Sequence, residues 1–155
     1  MISPILFSSE FNCWTTPQDF FDQLNKEFNF TLDPCASDWN AKCDYYITEK
    51  EDGLKLPWYG SVFMNPPYGN NINKWLEKAY NESQINAQFV VCLIPARTDT
   101  KWWHDWVMKS AEIRFIKGRL SFDDHGTAPF PSVVVIFCRG ITTPILTTML
   151  ARGFN

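Results

Sequence analysis

Four consecutive residues, Asn65-Pro66-Pro67-Tyr68, set a side-chain amide and an aromatic ring on either side of a rigid proline pair. Proline lacks an N–H and holds φ near about −65°, so the apolar run 62–64 ahead of it must end as a strand at Asn65. The pair then presents backbone carbonyls in a fixed geometry, and Asn65 adds a side-chain carbonyl beside that of Pro66. Two neighbouring acceptors suit a group with two N–H donors, such as the exocyclic amine of a base. Tyr68 supplies a flat face on which a base can stack, a contact worth about 1–3 kcal/mol. The lone pair of such an amine is delocalised into its ring, which makes it a poor nucleophile. Accepting both hydrogens favours a pyramidal nitrogen and stabilises the positive charge that grows as nitrogen attacks an electrophile. No strong base is needed, because the proton is lost easily once the nitrogen has taken up the electrophile. The same residues would also make a plain Pro-Pro turn closing a strand.

The elements around this motif alternate. "TTPQDFFDQLNKEF" predicts a helix with Thr16 as N-cap, Pro17 at the first helical position, and Phe20, Phe21, Leu24 and Phe28 on its apolar face. Strands are predicted at "FNFTLD", "CDYYIT", "SVFM", "QFVVCLI", "EIRFI" and "SVVVIFC", and further helices at "NINKWLEKAYNES" and "TKWWHDWVMKS". Such alternation predicts an α/β sheet with helices on its faces. Ligands of these sheets bind beyond the carboxyl ends of the strands, which singles out the segments starting at Asp33 and at Asn65. With no repeat, linker or low-complexity tract, residues 1–155 read as one domain without a separate target-recognition domain.

Composition narrows the class. Of 155 residues, 45% are hydrophobic and 20% charged, which excludes a disordered chain. No apolar run reaches the roughly 18 residues a membrane span needs. The opening "MISPILFSSE" has no Lys or Arg before its apolar residues and does not read as a signal peptide. Cys13, Cys35, Cys43, Cys92 and Cys138 are odd in number and form no C-x-x-C pair. Free thiols in a reducing cytoplasm are therefore expected, with neither disulfides nor a metal site. Residues 1–88 carry 6 Lys and Arg against 12 Asp and Glu, net −6, whereas residues 89–155 carry 8 against 5, net +3. The later half is where a polyanion would dock.

"NPPYG" resembles the catalytic motif of the amino-methyltransferases, and the whole chain resembles the small phage-type DNA N6-adenine methyltransferases. Those combine a W-x-T-P element, an Asp-bearing strand end, a D-G-L turn, N-P-P-Y and a later G-R-x-x-F. This chain shows "WTTP", "LDPCA", "DGL", "NPPY" and "GRLSF" in that order. The resemblance implies a Rossmann-like class I methyltransferase fold, with a mostly parallel sheet of about six to seven strands and helices on both faces. It implies S-adenosyl-L-methionine as cofactor and double-stranded DNA as partner. It makes Asn65, Pro66, Pro67 and Tyr68 catalytic. For the cofactor it implies Trp14, Thr15, Thr16 and Pro17 at the methionine end, where the start of a helix favours a carboxylate. Asp33 would hold the ammonium, with Pro34, Cys35 and Ala36 beside it, and Asp52 would accept from the cofactor's adenine, with Leu54 against that ring. The acid for the ribose is Glu49, with Asp38 as the alternative. The glycines usual after the first strand are absent, replaced by Ala36, Ser37 and Asp38.

On the DNA side, Arg97 and Lys101 follow a strand end, and Lys117, Arg119 and Phe122 lie in the segment 117–131, whose length marks it as functional. Trp102, Trp103, Trp106 and Val107 are expected mainly in the core. His104 and His125 receive no role. The target base must leave the helix to reach Asn65. The alternatives are methylation of cytosine N4 or of a protein glutamine, or a degenerate fold that only binds nucleic acid. A monomer or homodimer is expected.

Overall fold

The computed structural model describes residues 14–122 and 125–152. The expectations for Cys13 and for the opening ten residues lie outside them. Helix α1 spans Gln18–Phe28 and buries Phe20, Phe21 and Leu24. It starts one residue later than predicted: Pro17 occupies the N-cap, and no side chain caps the helix. Thr16 is therefore not the cap, because its hydroxyl is engaged elsewhere, as described below.

Strands β1 (Leu32–Ala36), β2 (Tyr45–Thr48) and β3 (Gly60–Met64) follow, then α2 (Ile72–Ile85), β4 (Ala87–Pro95) and α3 (Lys101–Asp105). A 3-10 turn at Val107–Lys109 breaks the single helix predicted there. The chain continues through β5 (Glu112–Lys117), the short hairpin β6 (Ser121–Phe122) and β7 (Gly126–Thr127), β8 (Ser132–Cys138) and β9 (Ile145–Leu150). Seven strands form one sheet in the order β2-β1-β3-β4-β8-β5-β9. Only β8 runs against its neighbours, so the sheet is mostly parallel, as expected for an α/β chain.

β3, β4 and β8 are apolar and buried almost throughout, as strands covered on both faces must be. Phe21 of α1 packs edge-on against Phe63 at 5.1 Å, and Phe28 packs against Phe89 at 5.6 Å. Tyr80 of α2 meets Phe137 at 6.2 Å.

The first predicted strand starts later than its alternation implied and runs on through Pro34. Proline cannot donate to the β2 ladder, and the register slips between Asp33 and Ala36 as at a bulge. Because β1 has β2 on one side and β3 on the other, the chain reverses its direction of travel across the sheet at β1. A crevice at such a reversal is where ligands sit in open α/β sheets, and the carboxyl ends of β1 and β3 flank it.

Candidate active site

Asn65 leaves β3 at this crevice, and its amide is held by one remote segment, Trp14 to Thr16, and by its near neighbour Tyr68. Its Nδ2 donates to the carbonyl oxygen of Trp14 and, at 2.9 Å, to Thr16 Oγ1. A backbone carbonyl can only accept, so the atom facing Trp14 must be the amide nitrogen. That leaves Oδ1 facing Tyr68, whose hydroxyl lies 2.9 Å from it and 3.3 Å from the Leu93 carbonyl. The phenol has one hydrogen, and the shorter contact takes it. Burial pushes the Tyr68 phenol far above its ordinary titration range, so it stays a donor. Oδ1 then keeps one lone pair for a substrate. Two donations from Nδ2 shift electron density through the amide toward Oδ1, which strengthens it as an acceptor.

Pro66 is buried and Pro67 half-buried. Gly69 follows at φ 126, a conformation that side chains disfavour, and turns the chain into α2.

Tyr68 is itself only 5% exposed. Trp14 lies nearly parallel to it, with ring centroids 6.4 Å apart and planes at 21°. Phe122 and Phe130 meet Trp14 edge-on at 5.2 Å each, and the His125 ring lies 4.5 Å from it. The β6–β7 hairpin and the segment after it thus fold an aromatic cluster over the motif. Phe122, expected at a DNA contact or a pocket wall, is 1% exposed and sits inside that cluster. His125 and Phe130 were not singled out by the sequence: no local spacing ties them to Trp14, more than a hundred residues earlier.

The second polar group stands on the adjacent strand. Asp33 is 5% exposed. Its two oxygens accept from the backbone N–H groups of Cys35, at 3.2 Å, and Lys42, at 3.1 Å. Desolvation raises its pKa to about 6, against the lowering effect of those bonds and of the Lys42 charge. Lys42 Nζ donates to Gln18 Oε1 at 3.0 Å, which ties this loop to the start of α1. Pro34 and Ala36 are buried, and Cys35 is half-buried.

The turn carrying Asp52 and Leu54 is pressed against the same strand end. A Cβ on Gly53 would stand 2.3 Å from the Pro34 carbonyl oxygen and 3.1 Å from the Trp75 ring, so only glycine permits this approach. Trp58 Nε1 donates to the Gly53 carbonyl at 2.9 Å and pins the turn from below. Asp52 has φ 66, and its Oδ1 accepts from the Leu54 N–H at 3.0 Å. Glu49 stands exposed in the turn after β2. Asp38 is also exposed and accepts from the Tyr46 hydroxyl at 2.9 Å.

The four early motifs therefore converge through named contacts: Trp14 and Thr16 on Asn65, Gln18 on Lys42, Lys42 on Asp33, and Gly53 on Pro34. Thr15 is half-buried and Pro17 buried within the same segment. Arg97 and Lys101 are exposed beyond the carboxyl end of β4, and Lys117 and Arg119 at the far end of β5. The Arg119 guanidinium donates to the Ala128 carbonyl at 3.4 Å.

Comparison with known proteins gives the family. A family model described as DNA N-6-adenine-methyltransferase (Dam) matches residues 6–145. A DNA N-6-adenine-methyltransferase of Haemophilus phage HP1 (strain HP1c1) is 32% identical over 123 residues, covering 77% of this chain and 70% of that protein. One from Escherichia phage T1 is 29% identical over 133 residues, covering 83% of this chain and 55% of that protein. The chain belongs to the DNA N-6-adenine-methyltransferase (Dam) family.

Proposed function

We propose that this protein methylates the N6 amino group of adenine in double-stranded DNA, using S-adenosylmethionine after the base has been flipped out of the helix. The observation that carries this reading is the Asn65 amide, anchored at Nδ2 by Trp14 and Thr16 so that Oδ1 is aimed and fixed. Asn65 Oδ1 accepts one N6 hydrogen and the Pro66 carbonyl the other. Both acceptors are in place before the reaction, so they strengthen as the nitrogen gains positive charge and cost no reorganisation. Tyr68 and the aromatic cluster hold the base and keep water from the reacting nitrogen.

The residues present suit the cofactor. Asp33 is a buried carboxylate with lone pairs left after its two backbone bonds, as an ammonium partner requires. Gly53 leaves a close backbone approach that a side chain would fill. Bound S-adenosylmethionine supplies an electrophilic methyl on a sulfonium. Asp33 would hold its ammonium, Asp52 and Leu54 its adenine, Glu49 its ribose, and Trp14, Thr15 and Thr16 with the start of α1 its carboxylate. Pro34, Cys35 and Ala36 form the adjoining wall.

We read the sheet as a Rossmann-like class I methyltransferase fold with helices on both faces. Neighbouring residues of a strand point to opposite faces. Phe28 of α1 touches Phe89 of β4, whereas Tyr80 of α2 touches Phe137, which pairs with Val90. The seven-stranded sheet supports a catalytic domain, and on this reading Arg97, Lys101, Lys117 and Arg119 contact the DNA. Cys43, Cys92 and Cys138 carry free thiols, and no described helix is long and apolar enough to cross a membrane.

The test is incubation with labelled S-adenosylmethionine and duplexes covering diverse adenine contexts, followed by mass analysis of the nucleosides. N6-methyladenine is expected. Its absence, with folded and cofactor-bound protein, sinks the reading. N4-methylcytosine or a methylated glutamine in its place would reassign the substrate.

A further inference from the structure

A cleft of about 520 Å³ is lined in part by the residues that follow the Asn-Pro-Pro-Tyr motif. Gly69 and Asn70 form one wall, directly after Tyr68 in the chain. Arg97, Lys101, Trp102, Asp105 and Trp106, from the segment after β4, line the rest of it together with Ile72 and Asn73. Trp103 and Val107 of the same segment are buried in the core, as their spacing predicted. Trp102 and Trp106 instead remain half-buried and line the cleft. Lys101 is paired with Asp105, which also lines the cleft, whereas the Arg97 guanidinium has no ion-pair partner among the described residues.

We propose that this cleft is a second nucleotide subsite, which takes the residue next to the flipped adenine on the same strand. Its base lies against Trp102, and its phosphate meets Arg97 with help from Lys101. The inference deepens the proposed function and rests on it. Three features favour this occupant. A flipped nucleotide drags its neighbours out of register, so a flanking base loses one stacking partner and gains from an aromatic face. An arginine with no ion-pair partner among the described residues matches the geometry and charge of a phosphate. The wall begins about 3.8 Å along the backbone from Tyr68, so one strand can reach both places.

Binding of a fluorescein-labelled duplex is measured by anisotropy from about 50 to 200 mM salt, beside steady-state methylation of the duplex that the wild-type protein modifies best. Arg97→Ala is expected to weaken binding about tenfold and to reduce the slope of log K against log salt by about 1. Trp102→Ala is expected to weaken binding about tenfold with the slope unchanged, and Trp102→Phe to recover most of that loss, because a face remains. In both alanine variants the loss falls on KM for DNA rather than on kcat, and cofactor affinity stays at the wild-type value. Variants that bind duplex within twofold of wild type would overturn the subsite. So would an unchanged salt slope in Arg97→Ala, or a Trp102→Phe as weak as Trp102→Ala. If the wild-type protein methylates no duplex, the proposed function fails and the subsite falls with it. If it does methylate and these variants behave as wild type, the subsite alone fails.

Discussion

Asn65 and Asp33 stand at the carboxyl ends of neighbouring strands, yet they are held in opposite ways. Asp33 is fixed by its own neighbourhood: both of its backbone partners lie within nine residues of it. Asn65 is fixed by side chains and a carbonyl from far away, with Trp14 and Thr16 about fifty residues earlier and Tyr68 on its other side. Asp33 carries a charge whose cost depends on pH, and Asn65 carries none. A charged anchor suits a ligand that stays charged throughout. A neutral, rigid acceptor suits an amine that becomes charged only as it reacts.

The largest effect that would break this contrast is at Asn65. Asn65→Ala removes an acceptor that matters most when nitrogen gains charge. Single-turnover methylation should fall about 100-fold or more, while cofactor affinity measured by calorimetry stays near wild type. A near-normal single-turnover rate would reduce the proline pair to a turn.

Tyr68→Phe comes next. Read from sequence alone, Tyr68 is a stacking face, and losing its hydroxyl should be mild. The bond to Asn65 Oδ1 changes that expectation. Without it the amide keeps its anchors but loses the donor that orients Oδ1. A net hydrogen bond of about 1 kcal/mol predicts a fall in kcat of about fivefold, with base retention by 2-aminopurine fluorescence preserved. Loss of retention instead would make the ring, not the hydroxyl, the active part.

These two residues also show what local pattern carries and what it does not. β8 was legible to the residue, because an unbroken apolar run between Pro131 and Arg139 has one sensible structure. The ordered motifs around Asn65, Asp33 and Asp52 were legible because each is local. Thr16 was misread as a helix cap, since Ser and Thr before a Pro usually cap and nothing local signals an amide fifty residues away. β9 was missed because it is an edge strand: Ile145, Leu146 and Leu150 are exposed, so its burial does not alternate cleanly. The β6–β7 strands have two residues each, too few for any period. His125 and Phe130 reach Trp14 only through tertiary packing.

At Asp33 the contrast becomes a pH dependence. Its folded pKa is raised to about 6, so the folded protein holds the proton more tightly than the unfolded chain. Stability from this group is therefore greatest at low pH and is lost as pH rises from the usual carboxylate range to about 6. Cofactor binding runs the other way, because an ammonium partner needs the ionised form. Affinity should rise from pH 5 to pH 7, and proton release should accompany binding below the midpoint. Asp33→Asn should flatten this profile and weaken binding at neutral pH about tenfold. An unchanged profile in Asp33→Asn would remove Asp33 from the ammonium site.

The smallest expected effect separates charge from shape at the turn that Gly53 presses onto β1. Asp52 sits at φ 66, and its Oδ1 accepts the Leu54 N–H at 3.0 Å. Its other oxygen pairs only loosely with the exposed Lys55, at 3.7 Å, a contact worth little in water. Asparagine tolerates a left-handed backbone and can accept the same N–H, so Asp52→Asn should preserve the turn. It removes only the charge, and if Asp52 holds the cofactor's adenine as proposed, affinity should fall about threefold. Asp52→Ala loses the side-chain bond and must still adopt a positive φ, at roughly 1–2 kcal/mol. It should lower the melting temperature as well as the affinity, and Asp52→Asn should leave melting unchanged. The comparison is read from melting curves with and without S-adenosylmethionine. If Asp52→Asn loses as much affinity as Asp52→Ala, the carboxylate is a ligand group in its own right. If neither variant changes affinity, Asp52 only shapes the turn, and the cofactor's adenine must be held elsewhere.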